Sequence, residues 1–318
     1  ILGVIFLVTV IITFISMKFE QIMPSATTMA DATLPTVAMD TEAGTQYNVL
    51  HGYTSELDST LFYGNITPVA KDRKLTVTIN TYGEDIEGVA YKIRSLEDKS
   101  LIENTEVSDY DNAGSSINVT FNIKNLLDTG KEYALEVVLK TKKHEAVYYY
   151  TRIVYGVDYD LQKKLDFVMD FNACTFDDSR LKDISGYLET SSSGDNTNYG
   201  KVNINCSLSQ VGWGDLDPYV ESDIMPEVIS VDDDVAILRL SYRVGAANDY
   251  SSSDTYTVSE YYRIRQTNSG FYLLNFEREM NQVFDARNDL TSTAKINLGI
   301  NSSTDVNCAS DEKGIYTY

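Results

Sequence analysis

Lys74-Leu75-Thr76-Val77-Thr78-Ile79-Asn80 alternates without a break, placing Leu75, Val77 and Ile79 on one face and polar side chains on the other. A period of two is the signature of a strand half-buried on a core. The same pattern recurs outward along the chain. Val89, Tyr91 and Ile93 align within Gly88 to Leu96, and Ile117, Val119, Phe121 and Ile123 form a third set. Tyr133, Leu135, Val137 and Leu139 form a fourth. A charged turn, Lys142-Lys143-His144-Glu145, leads into a fifth strand over Ala146 to Tyr155. Several short strands with turns between them and no helical period predict an antiparallel β-sandwich over residues 47–157.

Within that span, Leu127-Asp128-Thr129-Gly130-Lys131-Glu132-Tyr133-Ala134-Leu135-Glu136-Val137 resembles the tyrosine corner of fibronectin type III and related immunoglobulin-like domains. The resemblance implies that the Tyr133 ring packs in the core while its hydroxyl bonds backbone near the preceding corner. Leu127 then plugs the core six positions earlier. Ile79 stands where such domains usually carry a Trp in an early strand. The resemblance implies a fold and leaves function open, because this sandwich serves many unrelated roles.

Beyond Gly156 the period changes. Leu161, Leu165, Val168 and Met169 fall at helical spacing, with Asp158 or Asp160 available as a cap. A second helix is expected over Ser179 to Leu188, followed by a loop through Ser191 to Asn198. Strands are expected at Val202 to Leu208 and Val235 to Val244, with Asp232-Asp233-Asp234 as the turn before the latter. Thr255 to Gln266 and Phe271 to Arg278 read as a hairpin across Thr267 to Gly270. Helices before a meander predict an α+β domain over residues 158–286. Residues 287–318 read as the start of a truncated further β domain, with Ile296, Leu298 and Ile300 alternating.

The first residues, Ile1 to Met17, carry no charge and are nearly all apolar. As a helix they span about 25 Å, near the roughly 30 Å of a bilayer core. The nearest A-x-A pattern, Ala30-Asp31-Ala32, lies too far downstream for a signal-peptide cleavage site. The expectation is therefore a transmembrane anchor over residues 1–19 followed by a flexible linker over residues 20–46. Between Lys18 and Lys71 there is no basic residue, which by the positive-inside rule predicts a single-pass protein with an extracytoplasmic C-terminal bulk.

Lys plus Arg total 26 against 47 Asp plus Glu, a formal net charge of −21. Such a field repels polyphosphate and argues against nucleic-acid binding. With only His51 and His144 and no G-x-S-x-G or H-E-x-x-H pattern, neither a serine triad nor a zinc hydrolase is indicated. Cys174, Cys206 and Cys308 have no metal or redox spacing. A Cys174–Cys206 disulfide and simple unpaired thiols both remain open. No catalytic residue or cofactor is assigned.

The densest polar cluster runs from Trp213 to Asp223. Asp215, Asp217, Glu221 and Asp223 are hard oxygen donors of the kind Ca²⁺ prefers, although their spacing misses the EF-hand pattern. Trp213, the single Trp, and Tyr219 are the candidates for stacking on a sugar ring. The chain also holds 23 Tyr, including Tyr148-Tyr149-Tyr150 and Tyr261-Tyr262. On strands, neighbouring side chains point to opposite faces, so one Tyr of each cluster is expected to face away from its core.

The whole chain resembles membrane-anchored surface proteins of Gram-positive bacteria, built from one N-terminal helix and β-rich modules. The leading expectation is a membrane-anchored extracytoplasmic binding or scaffolding protein with a protein or cell-wall glycan partner. The alternatives are a cell-wall carbohydrate-active enzyme using paired carboxylates, or the sensory ectodomain of a membrane signalling system.

Overall fold

The computed structural model describes residues 34–110, 114–156, 159–247, 253–283, 309–310 and 316–317. Nine strands build the first module: β1 (Thr36–Asp40), β2 (Gln46–His51), β3 (Ile66–Val69), β4 (Lys74–Asn80), β5 (Ile86–Ser95), β6 (Leu101–Val107), β7 (Ser116–Asn122), β8 (Glu132–Thr141) and β9 (Val147–Tyr155). They form a four-stranded sheet, β2-β1-β4-β7, and a five-stranded sheet, β3-β9-β8-β5-β6. All neighbours are antiparallel except β3 and β9, which run parallel. Val77, Ile79, Val119 and Phe121 from the first sheet meet Tyr91, Ile93, Leu135 and Val137 from the second in one buried core. The period-two sets in the sequence are therefore the inward faces.

Tyr133 is buried, and its hydroxyl accepts the backbone N–H of Asp128 at 2.9 Å. Leu127 is buried beside it. Tyr133→Phe removes only that hydroxyl, so it is expected to cost about 0.5–1.5 kcal/mol. The urea midpoint should fall at an unchanged m-value.

Residues 36–40, expected to lie in a tether, instead form β1 between β2 and β4. Val37, Ala38 and Met39 are all buried, so this strand lacks the alternation that marks one with a solvated face. Tyr149 of β9 is in the core and donates its hydroxyl to the Pro35 carbonyl at 2.7 Å. Its neighbour Tyr150 points the other way and stacks on Phe62, ring centroids 4.5 Å apart.

The second module begins with α1 (Leu161–Thr175). A 3-10 helix follows over Leu181–Tyr187, where a regular second helix was expected. Next come β10 (Lys201–Asn203), a short α2 (Leu208–Val211), β11 (Tyr219–Val220), β12 (Met225–Val231), β13 (Val235–Ala247), β14 (Ser253–Thr267) and β15 (Gly270–Gln282). The sheet order is β10-β15-β14-β13-β11, with β12 also pairing β13. Leu165, Val168 and Phe171 of α1 pack on its inner face, where the Phe171 ring meets Tyr262 and Phe276 at 5.6 and 5.4 Å. Asp160 stands at the helix start in a left-handed conformation, φ 48°. Its carboxylate accepts from Lys163 and from Gln266 of β14 instead of capping the helix.

The two modules are joined by buried polar contacts. Asn48 of β2 accepts the Val228 N–H of β12 at 2.8 Å and donates to the Ile66 carbonyl and the Thr67 hydroxyl. Gln162 of α1 is held by Thr41 and Thr45 of the β1–β2 turn.

The anchor expected over residues 1–19 lies outside the described residues. The single-pass, extracytoplasmic topology built on it is corrected: among the described residues no helix is long and apolar enough to cross a membrane. The longest described helix, α1, has 15 residues and carries Lys163, Lys164, Asp166 and Asp170. Most of the further domain expected over residues 287–318 is also outside the described residues. Within it, Ala309–Ser310 and Tyr316–Thr317 pair antiparallel.

Candidate functional site: the cleft between the modules

Where the β1–β2 turn approaches the start of α1, a cleft of about 830 Å³ opens between the modules. This lies within the range of small-ligand sites, which favour domain junctions. The sandwich supplies Asp40, Glu42, Lys74 and Thr76, and the second module supplies Tyr159 and Gln162. Pro68, Val69 and Leu75 give the cleft an apolar floor. These wall positions are set by regular structure: Asp40 ends β1, and Lys74 and Thr76 lie on β4, directly across from Asn122 and Thr120 of β7.

Asp40 is the half-buried acceptor of the site. Burial raises its carboxyl above the ordinary value of 3.8, and a hydrogen bond from the Thr78 hydroxyl, 2.7 Å, works in the opposite direction. The same Thr78 hydroxyl contacts Asn118 at 2.9 Å, so the group holding Asp40 is fixed across the sheet. At the second wall, Asp160 is held low by Lys163 and Gln266. Lys74 sits 3.8 Å from Asp72 at the rim. Charges of both signs and several hydroxyls therefore line one opening, an arrangement that can bond a polar ligand along its length.

The residues singled out in the sequence lie elsewhere. Trp213 is 2% exposed, which removes it from any surface platform. Tyr219 is 52% exposed, with its ring against Gly245 of the neighbouring strand. Asp215 accepts from the Tyr199 hydroxyl at 3.0 Å, and Glu221 bonds the Arg243 carbonyl through its backbone N–H. Asp217 takes a left-handed backbone, φ 44°, and the Asp223 carbonyl accepts from Ser222. Among the described residues no three His, Cys, Asp or Glu side chains cluster to hold a metal, so the Ca²⁺ set Asp215, Asp217, Glu221 and Asp223 does not converge. The loop turns through left-handed positions at Trp213, Gly214 and Asp217. Cys174 and Cys206 are free thiols, both buried.

Trp213 belongs instead to a buried polar cluster that sequence periodicity does not reveal. Glu260 and Arg278, on adjacent strands β14 and β15, are both fully buried with their charges 3.7 Å apart. The carboxylate accepts from the Tyr262 and Tyr242 hydroxyls at 2.7 and 3.0 Å and from Asn172 of α1 at 2.8 Å. The guanidinium donates to the Val211 and Gln210 carbonyls at the end of α2 and lies 3.4 Å from the centre of the Trp213 ring. Burial, then the Glu260 charge, pushes both tyrosine hydroxyls well above their ordinary range. Burial lowers Arg278, against the pull of Glu260. The one available signal was a charge at an inward-facing strand position in each case.

No family model matches this chain. No curated protein matches it either. Among solved structures, the sporulation control protein Spo0M from Bacillus subtilis aligns over 69% of this chain and 86% of that chain, at 8% identity and a TM-score of 0.21. A superposition that loose carries no argument about fold or function.

Proposed function

We propose that this protein is a binding and scaffolding protein whose ligand seats in the cleft between an immunoglobulin-like sandwich and the α+β module. The single observation that supports this reading is the cleft itself, about 830 Å³ with walls from both modules. Its walls are held by the Gln162 contacts to Thr41 and Thr45, so the site exists before any ligand arrives. A preformed site avoids the ordering cost that weakens flexible binders. The alternation of carboxylate, ammonium and hydroxyl groups suits a hydroxyl-rich ligand such as a short oligosaccharide. Each sugar hydroxyl both donates and accepts, so along the sandwich wall it can donate to Asp40 and accept from Lys74.

The test is a glycan screen followed by calorimetry on the best binder. Asp40→Asn keeps the Thr78 contact but removes the charge, and Lys74→Ala removes the ammonium donor. Each is expected to weaken binding by about ten- to a hundredfold, the size of one hydrogen bond to a charged group (about 1.5–3 kcal/mol). Binding needs the ionised Asp40, so affinity should be full above its raised pKa and fall as the pH drops through it. That loss should begin above the ordinary carboxylate value of 3.8. Glycan binding that survives both substitutions would overturn the assignment of the cleft.

A further inference from the structure

A second concavity lies on the outward face of the five-stranded sheet and shares no lining residue with the cleft. Residues 56–59 lie over that face and enclose a pocket of about 400 Å³ with Arg94 of β5, Glu136 of β8 and Lys99 of the β5–β6 turn. That volume is at the small end of the range for small-molecule sites. The walls are held without a ligand. Asp58 caps the 3-10 turn Ser59–Leu61 by accepting the Thr60 N–H at 3.0 Å, and it bonds Lys99 at 2.7 Å. The Leu57 N–H donates to the Tyr150 hydroxyl at 2.7 Å, and Tyr150 in turn stacks on Phe62. The segment is therefore pinned both to β9 and to the β5–β6 turn.

The charges of this pocket do not balance locally. Glu136 is its most buried residue, with a side chain 2% exposed, and its one ion pair among the described residues is with Lys92 at 2.7 Å. Lys92 also holds Glu56 at 3.1 Å, so two carboxylates share one ammonium. Asp58 has Lys99 to itself. Arg94, two positions along β5 from Lys92, is partly buried in the same pocket and makes no ion pair among the described residues. Unpaired cations occur elsewhere, but Lys182, Arg243 and Arg263 are exposed, whereas Arg94 stands in a concavity beside a buried carboxylate. The pocket is left with one carboxylate in excess at Lys92 and one guanidinium in excess at Arg94. A ligand of a single charge would correct one excess and worsen the other.

We propose that this pocket binds a free α-amino acid with an aliphatic side chain. The ligand carboxylate meets Arg94 in the two-pronged geometry that guanidinium favours. The ligand ammonium goes to Glu56 and Glu136, which Lys92 alone does not neutralise. The register keeps both ends within reach: Glu136 lies directly across from Lys92, and Arg94 is one side-chain repeat, about 6.7 Å, further along β5. An α-amino acid carries its two charges on one carbon, and the long Glu and Arg side chains close the remaining gap. Leu57, 40% exposed, supplies apolar surface for the ligand side chain. A neutral sugar, the kind of ligand that suits the cleft, carries neither charge.

The test is isothermal titration calorimetry of the full chain with L-leucine, N-acetyl-L-leucine and L-leucinamide. L-Leucine is expected to bind. Loss of either ligand charge should weaken binding by about ten- to a hundredfold, the size of one hydrogen bond to a charged group. Arg94→Gln should weaken L-leucine by a similar factor and bring it level with L-leucinamide. Glu56→Gln should bring it level with N-acetyl-L-leucine. Neither side chain belongs to the core, and far-ultraviolet circular dichroism checks that both variants are folded. Asp40→Asn should leave L-leucine binding unchanged, so this site and the cleft stand or fall separately. No binding of L-leucine, equal affinity for either derivative, or binding indifferent to both substitutions would each overturn the proposal.

Discussion

Arg278→Met is expected to cost about 3–5 kcal/mol, because it leaves the Glu260 carboxylate buried without its counter-charge. The group is fully buried and hydrogen-bonded on three sides, by Tyr242, Tyr262 and Asn172, so it can neither reach water nor find a new cation. The guanidinium also closes the end of α2 through the Gln210 and Val211 carbonyls and covers the Trp213 ring. A desolvated cation over an aromatic face adds about 2 kcal/mol in favourable cases. Against a total stability of about 5–15 kcal/mol for a domain, the loss is large. Glu260→Gln/Arg278→Met removes both charges together and should recover at least half of it, because replacing a whole buried pair is far less costly than breaking one. Urea unfolding of the two single variants and the double gives the coupling directly. Trp213 is the single Trp, so its emission reports this cluster and no other site. Additive losses would mean that Arg278 acts through packing alone.

Asn48→Ala is expected to cost about 2–5 kcal/mol. Three buried hydrogen bonds converge on this one side chain, and removing it strands the Val228 N–H and the Ile66 carbonyl, each at about 1–3 kcal/mol. Asn48 also holds a left-handed backbone, φ 47°, at the bulge where β2 shifts register against β1. Asn tolerates that conformation better than Ala does. Asn48→Gly keeps the backbone relaxed while losing the same bonds, so the difference between the two variants isolates the strain. Because one of the three bonds crosses to β12, both variants should loosen the contact between modules. Hydrogen exchange at Val228 should rise in each. Unchanged protection there would remove Asn48 from the junction.

The strands β4, β5, β7, β8, β9, β13, β14 and β15 were legible because a strand with one face on the core writes its geometry into the chain as alternation. By contrast β2, β3, β6, β11 and β12 were not among the expected strands, and the strand expected at Val202 to Leu208 is only the short β10. Leu75, Val77 and Ile79, or Tyr133, Leu135 and Val137, announce a face without any knowledge of what covers it. The helix α1 was legible for the same reason at a different period. The strand β1 was hidden because its side chains are buried on both sides, which erases the alternation. The tight turns of the 213–223 loop were hidden as well: its carboxylates are neighbours in sequence, but the backbone is left-handed at Gly214 and Asp217 and the carboxylates form no group able to hold a metal among the described residues.

Local periodicity set the element types and the inward faces, since these depend on residues within a few positions of one another. Partnership between distant residues needed the folded chain. Glu260 meets Asn172, Arg278 meets Trp213, and Asn48 reaches Val228 only after separate elements pack. The cleft is of the same kind, because a concavity is a property of how separate elements are laid side by side. Short-range patterning carries no record of that arrangement, and the chemistry of this protein resides in it.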